Sequence, residues 1–400
     1  MKIIDEKMFV MNLFILGLLT ICSCAETSEP LSGNDYGVPG VIINHIPKTE
    51  GKYVGSPSIC LLPNGDYLAS HDEFGPNANT GKSGTTRIFR SSDKGETWSE
   101  VAVLKDQYWS NLFYYNGALY ILGVNHGHGD IVIRRSIDNG ESWSVPSTSK
   151  TGKLFEGAYH TAPTPVVVHN GRVWRAMEYA DALDSKLPDR YGVLMISAPC
   201  DSDLLDSSNW AMTNFIPADG TWLNGNFRGW LEGNALVTRE GRLLDVARVH
   251  VWPGTAERMA KINVTADGTE LYFQPSSGFS LFPGGAKKFT IYYDSVTDRY
   301  LSLANNIVSG LEEEYPANVR NSLSLVSSYN LIDWRIDCTV LYHSDVKRHG
   351  FQYVDWLIDG DDIVFVSRTA YDDECGGTDR AHDANYLTFH RIKNYVQYVR

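Results

Sequence analysis

The chain has 400 residues, enough for one large domain or two smaller ones, and a formal charge of −13. That charge argues against nucleic acid or an anionic membrane surface as partner, although a local arginine cluster could still bind an acidic ligand. Abundant glycine (35 residues), a 12% aromatic content and a scarcity of long amphipathic helical stretches favour an all-β protein.

The first element is the apolar segment Met8 to Cys24 (MFVMNLFILGLLTICSC). It follows Lys2 and Lys7 and is too short and wrongly flanked for a spanning helix. Its ending, Ile21-Cys22-Ser23-Cys24, resembles a bacterial lipobox, in which a small residue precedes the cysteine that is cleaved and lipidated. An ordinary secretion signal is the alternative. Asp5-Glu6 is atypical before such a segment, which suits a start at Met8. Residues 1–24 are therefore expected to be a lipoprotein signal peptide lipidated at Cys24, residues 25–35 a polar tether, and residues 36–400 one folded domain. The expected location is outside the cytoplasm, anchored to a membrane by lipid, in the periplasm or at the cell surface. Cys60, Cys200, Cys338 and Cys375 sit in no metal-binding pattern and read as free or as forming at most one disulfide. No cofactor motif is present.

Beyond the tether, a strand pair with a Gly-containing or polar turn recurs about every 50 to 60 residues. The pairs lie in Ser56–His71, Asn111–Val124, Ala162–Glu178, Gly233–Val249, Lys287–Asn305 and Tyr353–Ala370. A third strand follows each. In two repeats it enters an S-x-D-x-G-x-[ST]-W turn, Ser91 to Trp98 and Ser136 to Trp143. The pattern is a hairpin with mechanics: Asp accepts from turn backbone, Gly takes a positive φ, and Trp packs beneath. In the fifth repeat the stretch Ser327 to Trp334 keeps Ser and Trp but has lost Asp and Gly, and the third ends at Asp206-Ser207-Ser208-Asn209-Trp210. The last repeat lacks a fourth strand, which Gly40–Ile46 (GVIINHI) can supply. These features predict a six-bladed β-propeller closed by an N-terminal strand, without an open edge.

In a propeller, polar residues at the ends of inner strands converge on the axis. Candidates are His71-Asp72, His126 and His128 (NHGHGD), His160, Glu178 and His382-Asp383. Histidine or a carboxylate in such a place suits proton transfer near neutral pH, and any single histidine is equally a turn residue. His126, His128 and Asp130 at H-x-H-x-D spacing are a weak metal alternative, and no metal is expected. Trp222, Phe227 and Trp230 precede Glu232 and could stack on a sugar face or simply pack.

The chain resembles the sialidase superfamily over nearly its whole mature length. The S-x-D-x-G-x-[ST]-W turns are that superfamily's Asp boxes. More specific is Glu232-Gly233-Asn234-Ala235-Leu236, which leads through Glu240-Gly241-Arg242-Leu243 to Arg248 at matching spacing; Arg320 opens the strand before the fifth turn. The resemblance implies that Glu232 polarises a tyrosine nucleophile and that Arg248 and Arg320 hold a sugar carboxylate. The family's first arginine, in an R-I-P motif, is replaced by Val54-Gly55-Ser56-Pro57, with Arg228 or Arg368 as substitutes. A gap-free alignment puts Phe351 where the nucleophile belongs, and Tyr353 lies two residues on. Asp72 is the nearest substitute for the family's acid.

The expected function is an exported exo-glycosidase that releases a terminal acidic sugar from an oligosaccharide or polysaccharide. Glu232 with Tyr353 would form the nucleophile system, Asp72, His71 or His160 would carry protons, and Arg248, Arg320, Arg228, Arg368, His126, His128 and Trp230 would bind substrate. A lyase acting on a uronate, or a glycan-binding lipoprotein without turnover, are the alternatives.

Overall fold

The computed structural model describes residues 36–180 and 191–399, so the signal segment, Cys24 and the tether lie outside the described residues. The chain is an all-β propeller. All six expected hairpins form as antiparallel pairs: Ser58–Leu61 with Tyr67–Phe74, Tyr108–Tyr115 with Ala118–Val124, Val166–His169 with Arg172–Ala180, Phe227–Val237 with Leu243–Val251, Ile291–Asp294 with Arg299–Ala304, and Gly350–Asp359 with Asp362–Ala370. These are numbered below as repeats one to six.

The described residues form five sheets, not six separate ones. The linking strand Lys153–His160 pairs with Gly129–Ser136 on one side and with Arg172–Ala180 on the other, so repeats two and three share one eight-stranded sheet. The pairing with Gly129–Ser136 carries two register shifts, which let a connecting segment follow the neighbouring edge.

Each repeat packs on the next through a buried apolar cluster. Leu68 and Leu119 belong to a cluster joining one to two, Ile133 and Met177 two to three, Trp174 and Ala247 three to four, Val246 and Leu301's neighbour Tyr300 four to five, and Leu325 and Trp356 five to six. Ile59 and Val366 share a cluster that brings the sixth back to the first. Val41–His45 pairs with Tyr386–Ile392 and adds Ile43 and Ile46 to that seam. Deleting residues through Pro47 should remove these two buried isoleucines, about 3–6 kcal/mol of apolar burial, and expose a strand edge. The expected result is aggregation or a markedly lower melting temperature; a soluble protein with unchanged melting would refute the strand's role.

The two octapeptide turns make the same bonds. Thr97 N donates to Asp93 at 2.9 Å and Ser142 N to Asp138 at 2.9 Å; Trp98 Nε1 and Trp143 Nε1 reach the Gly95 and Gly140 carbonyls at 3.2 and 3.0 Å. Gly95 and Gly140 both stand at φ 93°. The degenerate turn is one residue shorter than its spelling suggests. Ser328, not Ser327, caps it, Asn330 takes the aspartate's place, and Leu331 takes a positive φ of 60°. Cys60, Cys200 and Cys375 carry free thiols.

Candidate active site

One backbone device recurs in repeats two, four and six. The inner strands lose register between Tyr108 and Asn111, Leu231 and Asn234, and Gln352 and Asp355. In each bulge two residues face one partner, and the first is left-handed: Trp109 at φ 47°, Glu232 at 55° and Tyr353 at 56°. Two residues on stands a buried anchor, Asn111, Asn234 or Asp355. Asn111 Nδ2 donates to Ser58 Oγ at 3.0 Å, Asn234 Oδ1 accepts from Ile291 N at 3.1 Å, and Asp355 Oδ2 accepts from Ser58 Oγ at 2.8 Å. Each anchor ties its strand to a neighbouring repeat and fixes the bulged residue before it. Left-handed backbone in bulky residues costs free energy and concentrates at functional centres.

The bulge also gives Phe351 and Tyr353 different surroundings. Phe351 belongs to the apolar cluster between repeats five and six. The extra residue breaks the strand's alternation, and Tyr353 is the one brought among the arginines.

Glu232 is almost fully buried and accepts a 2.9 Å bond from Arg248 Nη1. Burial pushes its carboxyl up, yet the charge of Arg248, with hydrogen bonds from Arg248 and the Tyr353 hydroxyl, outweighs this and holds it below the usual range. Burial and the Glu232 charge raise the Tyr353 phenol, opposed by Arg248, Arg320 and Arg368. The Arg368 guanidinium lies 4.8 Å and that of Arg320 5.7 Å from the Tyr353 ring centroid. Arg320 is held by the Ala317 carbonyl at 2.9 Å and by Gln352 Oε1 at 2.5 Å, and burial pushes it down to about 10. Arg368 donates Nη2 to the His382 carbonyl and lies 4.4 Å from the Phe74 ring centroid. Arg320 Nη2 and Arg368 Nη1 donate to no other described residue, which leaves guanidinium donors for a ligand. A carboxylate is the complementary partner.

Asp72, fully buried, takes backbone N–H bonds from Ser56 and from Trp109, the latter at 2.8 Å. Burial raises it to about 6, against those two bonds and the Arg368 charge. It is thus a carboxyl that retains its proton into the mildly acidic range, beside the arginine cluster.

Of the residues expected from sequence, Glu232, Tyr353, Arg248, Arg320, Arg368, Asp72 and His160 come together. Glu178 and His382 border them through His160 and Arg368, whereas His71, Arg228, Trp230 and His126 stand apart. His71 faces the seam between repeats one and six, stacked on Phe89 with Nε2 against Asn44 at 2.9 Å; burial lowers it to about 4. Its neighbour Asp72 turns the opposite way, as strand alternation requires. Arg228 lies at the edge, bonded to the Trp252 carbonyl at 3.1 Å, so Arg368 is the third arginine of the cluster. Trp230 is fully buried among Trp222, Phe227 and Phe273 and packs between repeats three and four, so it offers no face to a sugar. His126 Nδ1 contacts the Gly127 carbonyl at 3.1 Å, whereas His128 Nε2 contacts the Tyr191 hydroxyl at 2.5 Å and its ring lies 6.2 Å from that of His160, so the two diverge and His128 alone borders the site. Among the described residues no group of three or more His, Cys, Asp or Glu side chains has metal-binding geometry. Trp109 was missed, although a signal existed: Trp109-Ser110-Asn111-Leu112 matches Glu232-Gly233-Asn234-Ala235 and Tyr353-Val354-Asp355-Trp356.

No family model and no curated protein sequence matches the chain. Solved structures do. An α-L-arabinanase of Penicillium chrysogenum complexed with arabinobiose is 14% identical, with 90% of this chain and 99% of that one covered and a TM-score of 0.53. A Hadza microbial sialidase is 12% identical over 89% of this chain and 68% of its own, with a TM-score of 0.59. An α-L-arabinofuranosidase of Fusarium graminearum is 9% identical over 88% and 96%, with a TM-score of 0.56. The likeness is one of fold: these neighbours are glycosidases with which the chain shares a propeller.

Proposed function

We propose that the protein is a glycoside hydrolase that releases a terminal acidic sugar from a glycan. The carrying observation is that Arg248, Arg320 and Arg368, from repeats four, five and six, converge on the phenol of Tyr353 where it meets Glu232. The glycosidase neighbours support the reaction class, and the arginines support the acidic substrate. Six hairpins and a cycle of apolar clusters support a six-bladed count, with repeats two and three hydrogen-bonded together and Val41–His45 as the closing strand.

In this mechanism the sugar carboxylate binds the guanidinium donors. A carboxylate nucleophile would be repelled by the substrate's own charge; a phenol is neutral until it reacts, and tyrosine is a known alternative to the usual carboxylate pair. Tyr353 Oη attacks the anomeric carbon while its proton passes to Glu232. The bond to the leaving oxygen breaks, and that oxygen takes the proton of Asp72. Water then attacks the same carbon, gives its proton to Asp72, and releases Tyr353, which recovers its own proton from Glu232. The buried arginines stabilise the charge throughout.

Arg320→Lys and Arg368→Lys should each weaken binding of N-acetylneuraminate or D-glucuronate about 30-fold or more, because lysine keeps the charge but loses the fork. Calorimetric titration checks this; wild-type affinity in both variants would remove the clamp. A lyase acting on a uronate would use the same arginines, and its product is set apart by an unsaturated sugar that absorbs in the near ultraviolet.

A further inference from the structure

The wall that repeats two and three contribute to the site is built differently. His160, at the end of the linking strand Lys153–His160, bonds through Nδ1 to Glu178 Oε2 at 2.7 Å. Glu178 is fully buried, and its other oxygen accepts the Gly233 N–H at 2.8 Å. One carboxylate therefore grips both the imidazole and the backbone of the bulge that presents Glu232. Ring contacts complete the hold: Trp109 lies edge-on to His160 at 4.5 Å between centroids, and Tyr191 stacks on it at 4.6 Å. A carboxylate on Nδ1 places the proton there and leaves Nε2 as the free nitrogen of the neutral ring. Nε2 bonds to no described residue, and the side chain keeps 10% of its surface open. His160 also lies close to the Glu232 carboxylate. So tightly fixed a ring, with its polar edge spare beside the nucleophile system, is arranged to meet something that is not protein.

We propose that His160, aligned by Glu178, is a substrate-positioning residue whose Nε2 takes a hydrogen bond from a ring hydroxyl of the bound sugar acid beside Glu232. The inference rests on the acidic-sugar reading and adds to it a requirement for that hydroxyl. Glu178 acts through His160. A site built to bond a hydroxyl discriminates against an analogue that lacks it, because its buried acceptor is left unpaired.

The test compares two probes: D-glucuronate, which carries ring hydroxyls, and cyclohexanecarboxylate, which offers the arginines the same carboxylate without them. Both are titrated calorimetrically into the wild type, His160→Phe, His160→Gln and Glu178→Gln, with melting temperature as a check on folding. His160→Phe keeps a ring of similar size without its nitrogens and should weaken glucuronate roughly five- to fiftyfold while leaving cyclohexanecarboxylate within about twofold. His160→Gln, which restores an acceptor, should recover part of the loss, and Glu178→Gln should lose a smaller part of glucuronate affinity. If His160→Phe does not fold, the same selective loss in Glu178→Gln carries the inference, and its absence there overturns it. Equal loss for both probes, or loss for neither, overturns the role of His160 and leaves the clamp standing. Failure of the wild type to bind either probe overturns the clamp and this inference together.

Discussion

Tyr353→Phe should lower turnover of aryl glycosides of N-acetylneuraminate or glucuronate by ~1,000-fold or more, the scale on which loss of a nucleophile is felt. The substitution removes one oxygen and little else. Phenylalanine keeps the ring that Arg320 and Arg368 approach, and the Glu232–Arg248 bond at 2.9 Å does not involve the phenol. Binding of the free sugar acid should therefore survive within a few fold, which separates a chemical from a structural effect. Glu232→Gln should behave similarly, cutting turnover more than binding. Turnover near the wild-type rate in Tyr353→Phe would place the chemistry on another residue.

Asp72→Asn should cost about 100- to 10,000-fold on glycosides with alcohol leaving groups, the usual contribution of a positioned proton donor. Aryl glycosides, whose leaving groups depart without a proton, should lose far less. The pH dependence follows from burial. Asp72 is raised from 3.8 to about 6, so the protonated, donating form persists to about pH 6 and is lost above it. In the wild type kcat/KM on alcohol glycosides should fall as pH rises through about 6, and the variant should lack that limb. Equal losses on both classes of leaving group would assign Asp72 to binding instead.

Much of the site was legible in the sequence, for a definite reason. Glu232 and Arg248 lie on two directly paired strands and Arg320 just ahead of the strand Ser322–Ser328, so their spacing along the chain could be matched without knowing the packing. The octapeptide turns were legible because their bonds are local, running four residues from Ser142 to Asp138 and three from Trp143 to Gly140. What could not be read depends on long-range packing. Trp230 could equally have faced a ligand, and only the aromatic cluster between repeats three and four decides against it. Arg228 and Arg368 were indistinguishable as substitutes until the last loop brought the His382 carbonyl to Arg368. Alternation along one strand separates His71 from Asp72, yet it cannot say which of them faces the axis. The merging of repeats two and three required the linking strand to find two edges at once, and no local pattern encodes that.

The three left-handed residues at 109, 232 and 353 have a consequence for anyone who engineers this protein. Left-handed backbone costs a non-glycine residue roughly 1–2 kcal/mol. Glycine or asparagine would relax each of the three positions, but at 232 and 353 it would delete a side chain that the proposed reaction uses, and at 109 the ring that packs on His160. A library enriched for heat resistance alone would thus drift toward inactive sequences at these codons. Thermostabilising substitutions are better sought in the outer strands and the exposed turns, where no catalytic geometry depends on the strain.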